Sequence, residues 1–88
     1  MKQGIEPFLR DGRISHYPAK ATRRRELLAW AAEQSLGADE TIDELAYNER
    51  LLGLTDDPAT LRRYLVEAGL VVRQPGGAAY ALAGDPDA

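Results

Sequence analysis

Two adjacent arginines, Arg62 and Arg63, lie in the stretch DPATLRRYLVEAGLVVR, which covers residues 57–73. An arginine guanidinium carries N–H donors in a rigid fork that matches a phosphate group or the edge of a guanine base. Ala59 and Thr60, which precede the arginines, are small enough to approach the methyl group of a thymine. These residue types at this spacing indicate contact with DNA, although two arginines on a helix can also serve only to solvate an exposed face.

The same stretch carries the signals of a helix with a defined start and end. Asp57 is an N-cap residue, and Pro58 suits the first helical position, where its missing N–H would be unpaired in any case. Gly69 is the residue expected directly after the last turn. The sequence therefore predicts a helix between Asp57 and Gly69.

This predicted helix has two different sides. At about 100° per residue, its apolar residues fall on one side, which is expected to pack on the core. They are Leu61, Tyr64, Leu65 and Ala68. The other side presents Ala59, Arg63 and Val66, with Arg62 on one flank and Thr60 and Glu67 on the other. In a helix-turn-helix protein such a side lies in the major groove of DNA.

Two further helices are predicted upstream. The first covers about residues 22–34, and Gly37 supplies a stop signal after it. The second is expected to open with a capping box, in which the Thr41 hydroxyl and the Glu44 carboxylate bond to each other's backbone amides, and to end at Gly53. Its apolar stripe is expected to consist of Ile42, Leu45 and Leu51 or Leu52.

A β-hairpin is predicted after the third helix. Residues 70–73 and 79–82 form β-type runs, and residues 74–77 have the glycine and proline content of a turn. A third strand, if one exists, would be short and would lie near residues 39–41. The predicted fold class is thus mainly α with a small β-hairpin, a winged helix-turn-helix of three helices plus a C-terminal wing.

A second group of cations stands at the start of the first helix. Arg23, Arg24 and Arg25 occupy its first turn, where the helix dipole disfavours positive charge, so the run hints at an anionic partner. Residues 1–30 carry seven basic and three acidic groups, whereas the other residues carry four basic and eleven acidic groups. This asymmetry favours a basic contact surface within residues 1–30. The alternative is that these charged side chains only lie on solvent-exposed faces of the protein.

Length and composition limit the remaining possibilities. The 88 residues form one small domain, with residues 1–17 as an N-terminal extension packing on it, residues 18–83 as the winged-helix-like domain and residues 84–88 as a flexible tail. There is no cysteine, one histidine and no discernible nucleophile–base pair, so neither a metal, nor a cofactor, nor enzymatic activity is expected. Without a secretory signal or a long apolar run, a cytoplasmic protein with no membrane partner is expected.

Several short motifs resemble a known bacterial family. They are Phe8-Leu9, the DGR at residues 11–13, the PAK at residues 18–20, the NERL at residues 48–51 and, most specifically, the stretch at residues 57–73. Together they resemble the domain of unknown function 2087 family, which occurs alone or attached to arsenic-repressor-type winged-helix regulators. The resemblance implies a winged-helix-like fold and a role in DNA binding or regulation. Ile42 stands where the family usually has an aromatic residue.

Two functions of different classes remain open. The first is a winged-helix DNA-binding protein, a transcriptional regulator whose partner is double-stranded DNA. Its contacts would be made by Ala59, Thr60, Arg62, Arg63, Arg73, Gln74, Lys20, Arg23, Arg24 and Arg25. The second is a protein–protein interaction module that never binds DNA, which the acidic residues 39–67 and the outward Val66 favour. A homodimer is compatible with either function.

Overall fold

The computed structural model describes residues 4–74 and 79–83, which contain three α-helices and five short β-strands. The helices are α1 (Ala21–Ser35), α2 (Glu44–Leu51) and α3 (Pro58–Glu67). The strands are β1 (Leu9–Arg10), β2 (Arg13–Ile14), β3 (Thr41–Asp43), β4 (Val71–Arg73) and β5 (Ala79–Leu82). A short 3-10 helix over Glu6–Phe8 precedes β1.

The strands form two antiparallel sheets. Strands β1 and β2 make a small hairpin whose turn is formed by Asp11 and Gly12, both with positive φ. Strands β3, β5 and β4 form a three-stranded sheet with β5 in the centre. The prediction of three helices and a hairpin at residues 70–73 and 79–82 is confirmed in outline. The third strand, expected near residues 39–41 if it existed, is present as β3 at Thr41–Asp43, and the β content is larger than predicted because the N-terminal segment adds a second sheet.

Helix α3 has the ends that its sequence predicts. The Asp57 carboxylate accepts a hydrogen bond from the Thr60 amide at 3.2 Å, and Pro58 occupies the first turn. Gly69 follows the last turn with a φ of 75°, a left-handed conformation that costs glycine little. Caps depend on neighbouring residues only, so this part of the fold can be inferred from local sequence.

The predicted start of α2 is wrong. Thr41 belongs to strand β3 and pairs with Ala81, so it does not cap the helix. The N-cap residue is Asp43, whose carboxylate accepts a hydrogen bond from the Ala46 amide at 2.8 Å. The predicted stripe is also wrong at Leu45, which is 72 % exposed, because α2 turns Tyr47 and Leu51 towards the core.

The core lies between the three helices and the inner face of the larger sheet. Leu61 and Leu65 of α3 are fully buried, as their spacing predicts, and they belong to the same cluster as Tyr47 and Val71. Leu28, Ala31 and Ala32 bring α1 into this cluster, and Tyr80 brings in the central strand. Helix α3 therefore packs against every other layer, with one side left in solvent.

The N-terminal segment is joined to this core by hydrogen bonds. The Ile14 amide donates to the Leu54 carbonyl at 2.7 Å, and Arg13 donates to the Leu52 carbonyl at 2.6 Å and to Asp56 at 2.5 Å. Ile5 is buried. Residues 75–78, which carry most of the predicted hairpin turn, and residues 84–88, the predicted tail, lie outside the described residues.

None of the helices in residues 4–74 is both long enough and apolar enough to cross a membrane.

An ion pair ties α2 to the segment that precedes it. Arg50 donates two hydrogen bonds to the Glu40 carboxylate, at 2.5 and 2.6 Å, and a third to the Ser35 carbonyl at 3.1 Å. The Gly37 amide also donates to Glu40, at 3.0 Å. The hydrogen bonds from Arg50, followed by the one from Gly37, lower the pKa of Glu40 to about 2. The carboxylate is thus held in its charged form.

This lowered pKa predicts a dependence of stability on pH. Glu40 has an ordinary pKa of 4.5 in an unfolded chain, so between pH 4.5 and about 2 the unfolded state binds more protons than the folded state. The stability contributed by Glu40 is therefore fully present above pH 4.5 and is lost as the pH falls through about 2.

Glu40→Gln is expected to lower the melting temperature at pH 6 and to flatten the loss of stability on acidification. Thermal unfolding at pH 6, 4 and 2, followed by circular dichroism, measures both effects. Glu49→Gln is the matched control, since Glu49 is an exposed carboxylate of α2, the helix that carries Arg50. Equal melting temperatures of the two variants at every pH would show that the pair with Arg50 contributes nothing to stability.

Candidate nucleic-acid interface

A groove runs between α3 and the sheet, and half of the predicted contact residues line it. They are Ala59, Thr60, Arg62, Arg63 and Arg73. Val66, Glu67 and Tyr80 complete the lining among the described residues. We call this surface the α3–β4 groove. Helix periodicity brings the α3 residues together, and the turn at Gly69 brings β4 back beside them.

Arg62 is a structural residue of this groove. Its guanidinium donates a hydrogen bond to the Asn48 side-chain oxygen on α2 and lies over the Tyr80 ring, 5.7 Å from the ring centroid. The Tyr80 hydroxyl in turn donates to the Glu44 carboxylate at 2.9 Å. Burial, and then this hydrogen bond, raise the pKa of Tyr80. Arg62 therefore joins α2, α3 and β5.

Arg63, its neighbour, lies in solvent. Its side chain is 65 % exposed and forms an ion pair with Glu67 at 3.9 Å, four residues on. Its guanidinium also lies over the Tyr64 ring, 5.6 Å from the ring centroid. Exposed pairs of this kind contribute about 0–1 kcal/mol, so a phosphate or a base can replace Glu67 as the partner of Arg63 at little cost.

Thr60 lies beside a negative charge. Its hydroxyl donates to the second Asp57 oxygen at 2.7 Å, while its amide donates to the first. These two hydrogen bonds, the hydroxyl first, lower the pKa of Asp57, which stays ionised. The hydroxyl of Thr60 is thus already hydrogen-bonded to the N-cap carboxylate of Asp57. The small, exposed side chain of Ala59 is therefore easier for a DNA base to approach at this end of α3.

Arg73 is the last residue of strand β4, and Gln74 follows it. Arg73 is exposed and pairs in register with Tyr80, which places it on the groove side of the sheet. Gln74 is exposed as well, and its amide donates to the Ala79 carbonyl at 2.8 Å. Arg73 is therefore the hairpin cation that shares a surface with Arg63.

The predicted cations of the N-terminal third lie elsewhere. Lys20 is exposed at the N-cap position of α1. Arg23 donates to the Gly4 carbonyl at 2.5 Å, Arg24 to the Pro18 carbonyl at 3.4 Å and Arg25 to the Ala68 carbonyl at 2.8 Å. Arg24 and Arg25 line a second groove, between α1 and α3, which we call the α1–α3 groove. The structure thus divides the ten predicted residues among several surfaces.

Sequence reasoning did not assign a role to Asn48, Glu44 or Tyr80 in this interface. The three residues position Arg62 and the hairpin, yet they lie on α2 and β5, and Tyr80 is 36 residues from Glu44. No local pattern signals such a network, because neither the register of β5 nor the packing of α3 on α2 is encoded within one segment.

The chain matches one protein family over most of its length. The family model described as "Uncharacterized protein conserved in bacteria (DUF2087)" matches residues 13–82. The protein therefore belongs to this family, as its motifs suggested, and the match includes both grooves. No curated protein and no solved structure matches the chain.

Proposed function

We propose that the protein is a DNA-binding winged-helix protein that acts as a transcriptional regulator. The observation that carries the proposal is the α3–β4 groove, where the exposed side of a helix and a cation from the following hairpin line one open surface. Proteins that read DNA use a helix for base edges and flanking cations for phosphates.

The order of the elements supports the same function. Helix α3 packs against α2, and the β4–β5 hairpin follows α3 directly. In a winged helix-turn-helix the third helix lies against the second and enters the major groove, while the hairpin forms the wing. On this proposal Ala59 and Arg63 face the bases or the adjacent phosphates, and Arg73 contacts the backbone.

The net charge of −3 makes the position of each cation important. A protein without an overall positive charge attracts DNA only through a local patch, so the removal of one patch cation has a clear effect on affinity. Glu67 and Asp57 lie on or beside the same helix and oppose phosphate binding, which limits the expected affinity.

The test is fluorescence anisotropy with a labelled duplex of mixed sequence, titrated at low and at moderate salt. Wild-type protein is expected to bind, with an affinity that falls as the salt concentration rises. Arg63→Gln and Arg73→Gln are each expected to weaken binding by about tenfold and to reduce the salt slope by about one.

Arg10→Gln is the charge-matched control, since Arg10 is an exposed cation of strand β1 outside the α3–β4 groove. It is expected to change the affinity by no more than about twofold. The proposal is wrong if the wild-type protein shows no affinity for duplex DNA at low salt. Equal affinities of Arg63→Gln and Arg10→Gln would also contradict it.

A protein-interaction module is the second candidate. Leu45 and Leu52 are 72 % and 48 % exposed, and their spacing of seven residues places them on one side of α2. Glu49, which is exposed and lies between them along the helix, adds negative charge to this side. The surface fits a basic amphipathic helix, and an absence of duplex binding in the same titration would favour this candidate.

A further inference from the structure

The α1–α3 groove has a different chemistry from the α3–β4 groove. It has a volume of about 520 Å³, which lies in the range of small-molecule sites. Its lining includes the side chains of Arg24 and Arg25 together with the more apolar residues Ala21, Leu28, Tyr64 and Ala68. The groove thus combines positive charge with an apolar wall.

Arg24 and Arg25 differ in how strongly their side chains are hydrogen-bonded to the rest of the protein. Arg25 donates to the Ala68 carbonyl at 2.8 Å, at the C-terminal end of α3, where a cation is favourable. Arg24 makes one hydrogen bond among the described residues, to the Pro18 carbonyl at 3.4 Å, a length at which such bonds are weak. Most of the donors of Arg24 are therefore available to a ligand.

The acidic residue of the lining is Glu67, and it leaves an excess of positive charge. Its side chain is 66 % exposed and pairs with Arg63, which lies one turn earlier on the same face of α3. Two arginines against one partly engaged carboxylate give this groove a preference for anions. A guanidinium can bind a carboxylate through two parallel hydrogen bonds, which makes the contact both strong and directional.

From this geometry we infer that the α1–α3 groove binds a small organic carboxylate with an apolar body. Arg24 holds the carboxylate group, and Leu28 and Tyr64 pack against the apolar part. A duplex phosphate does not suit the groove equally well, because the sugar–phosphate backbone offers less apolar surface to this wall than an aryl or alkyl group does. The site is independent of whether the α3–β4 groove binds DNA.

The test is a titration of ¹⁵N-labelled protein with sodium benzoate and sodium octanoate, followed by amide chemical shifts in two-dimensional NMR. At least one of the two is expected to give saturable shifts at the amides of Ala21, Leu28, Tyr64 and Ala68, with a dissociation constant near about 1 mM or below. Benzyl alcohol and octanol, the uncharged counterparts, are expected to bind about tenfold more weakly.

Arg24→Gln is expected to weaken carboxylate binding by about tenfold. Arg23→Gln removes the same charge from the same helical turn, but Arg23 is directed at the Gly4 carbonyl, so the affinity is expected to stay within about twofold of wild type. The spectra of the two unliganded variants show whether each is folded.

Three outcomes would overturn the inference. The first is an absence of shifts in this groove up to about 10 mM of either carboxylate, a concentration well above the expected dissociation constant. The second is equal binding of the carboxylates and the alcohols, since it would remove the role of charge. The third is equal affinity of folded Arg24→Gln and Arg23→Gln, since it would show that long-range charge alone accounts for the binding.

Discussion

Leu61→Ala is expected to lower the free energy of unfolding by about 2–5 kcal/mol. The Leu61 side chain is fully buried and belongs to the core cluster that joins the helices to the sheet. Truncation to alanine removes buried apolar groups. Because neighbouring core residues pack around the site on several sides, it cannot collapse and a cavity remains. The total stability of a domain of this size is about 5–10 kcal/mol, so the variant would be close to unfolding.

Urea unfolding at 25 °C, followed by far-ultraviolet circular dichroism, measures this loss. Leu45→Ala is the matched control, because it makes the same chemical change at a side chain that is 72 % exposed. We expect Leu45→Ala to change the stability by no more than about 0.5 kcal/mol, since alanine is a good helix former and little burial is lost. Equal losses in the two variants would contradict the packing described for α3.

These two leucines also mark where sequence reasoning succeeds and where it does not. Leu61 lies in a helix whose start and end are set by local caps at Asp57 and Gly69, so its direction follows from periodicity. Leu45 lies in a helix whose start depends on β3, and β3 exists because Thr41–Asp43 pair with Ala79–Ala81, almost forty residues away. The local pattern around Thr41 does not show which distant strand it pairs with, so the capping box predicted at Thr41 is wrong.

The arginine run at the start of α1 shows the same limit for the candidate site. Successive residues of a helix point about 100° apart, so three adjacent arginines cannot form one patch. The structure directs Arg23 to the Gly4 carbonyl and Arg25 to the Ala68 carbonyl, two partners that belong to different elements. Helical geometry alone predicts that these residues diverge, whereas the identity of each partner depends on tertiary packing.

The same helical geometry also separates Arg62 and Arg63, the adjacent arginines in the stretch at residues 57–73. Arg62 turns towards Asn48 and Tyr80, and Arg63 turns into solvent. On sequence grounds both were candidates for DNA contact, with Arg63 on the outer side of the helix and Arg62 on its flank. The structure gives them different environments, so their substitutions should have different consequences.

Arg62→Ala is expected to lower the free energy of unfolding by about 1–3 kcal/mol, because it leaves the Asn48 side-chain oxygen without its donor and uncovers the Tyr80 ring. Arg63→Ala is expected to change the stability by no more than about 0.5 kcal/mol, since its ion pair with Glu67 is exposed. Urea unfolding of both variants measures the difference.

Amide hydrogen exchange shows which elements lose local stability in Arg62→Ala. In Arg62→Ala the amides of β4 and β5 are expected to exchange faster than those of α1, because Arg62 is one of the side chains that link this hairpin to α2 and α3. Arg63→Ala should leave the exchange pattern unchanged. If Arg62→Ala instead unfolds and exchanges like the wild type but loses affinity for duplex DNA, Arg62 contacts DNA directly and its bond to Asn48 is incidental. If Arg62→Ala lowers the stability as expected, the two arginines have different roles. Arg62 then holds the hairpin beside α3, and Arg63 faces the ligand of the α3–β4 groove.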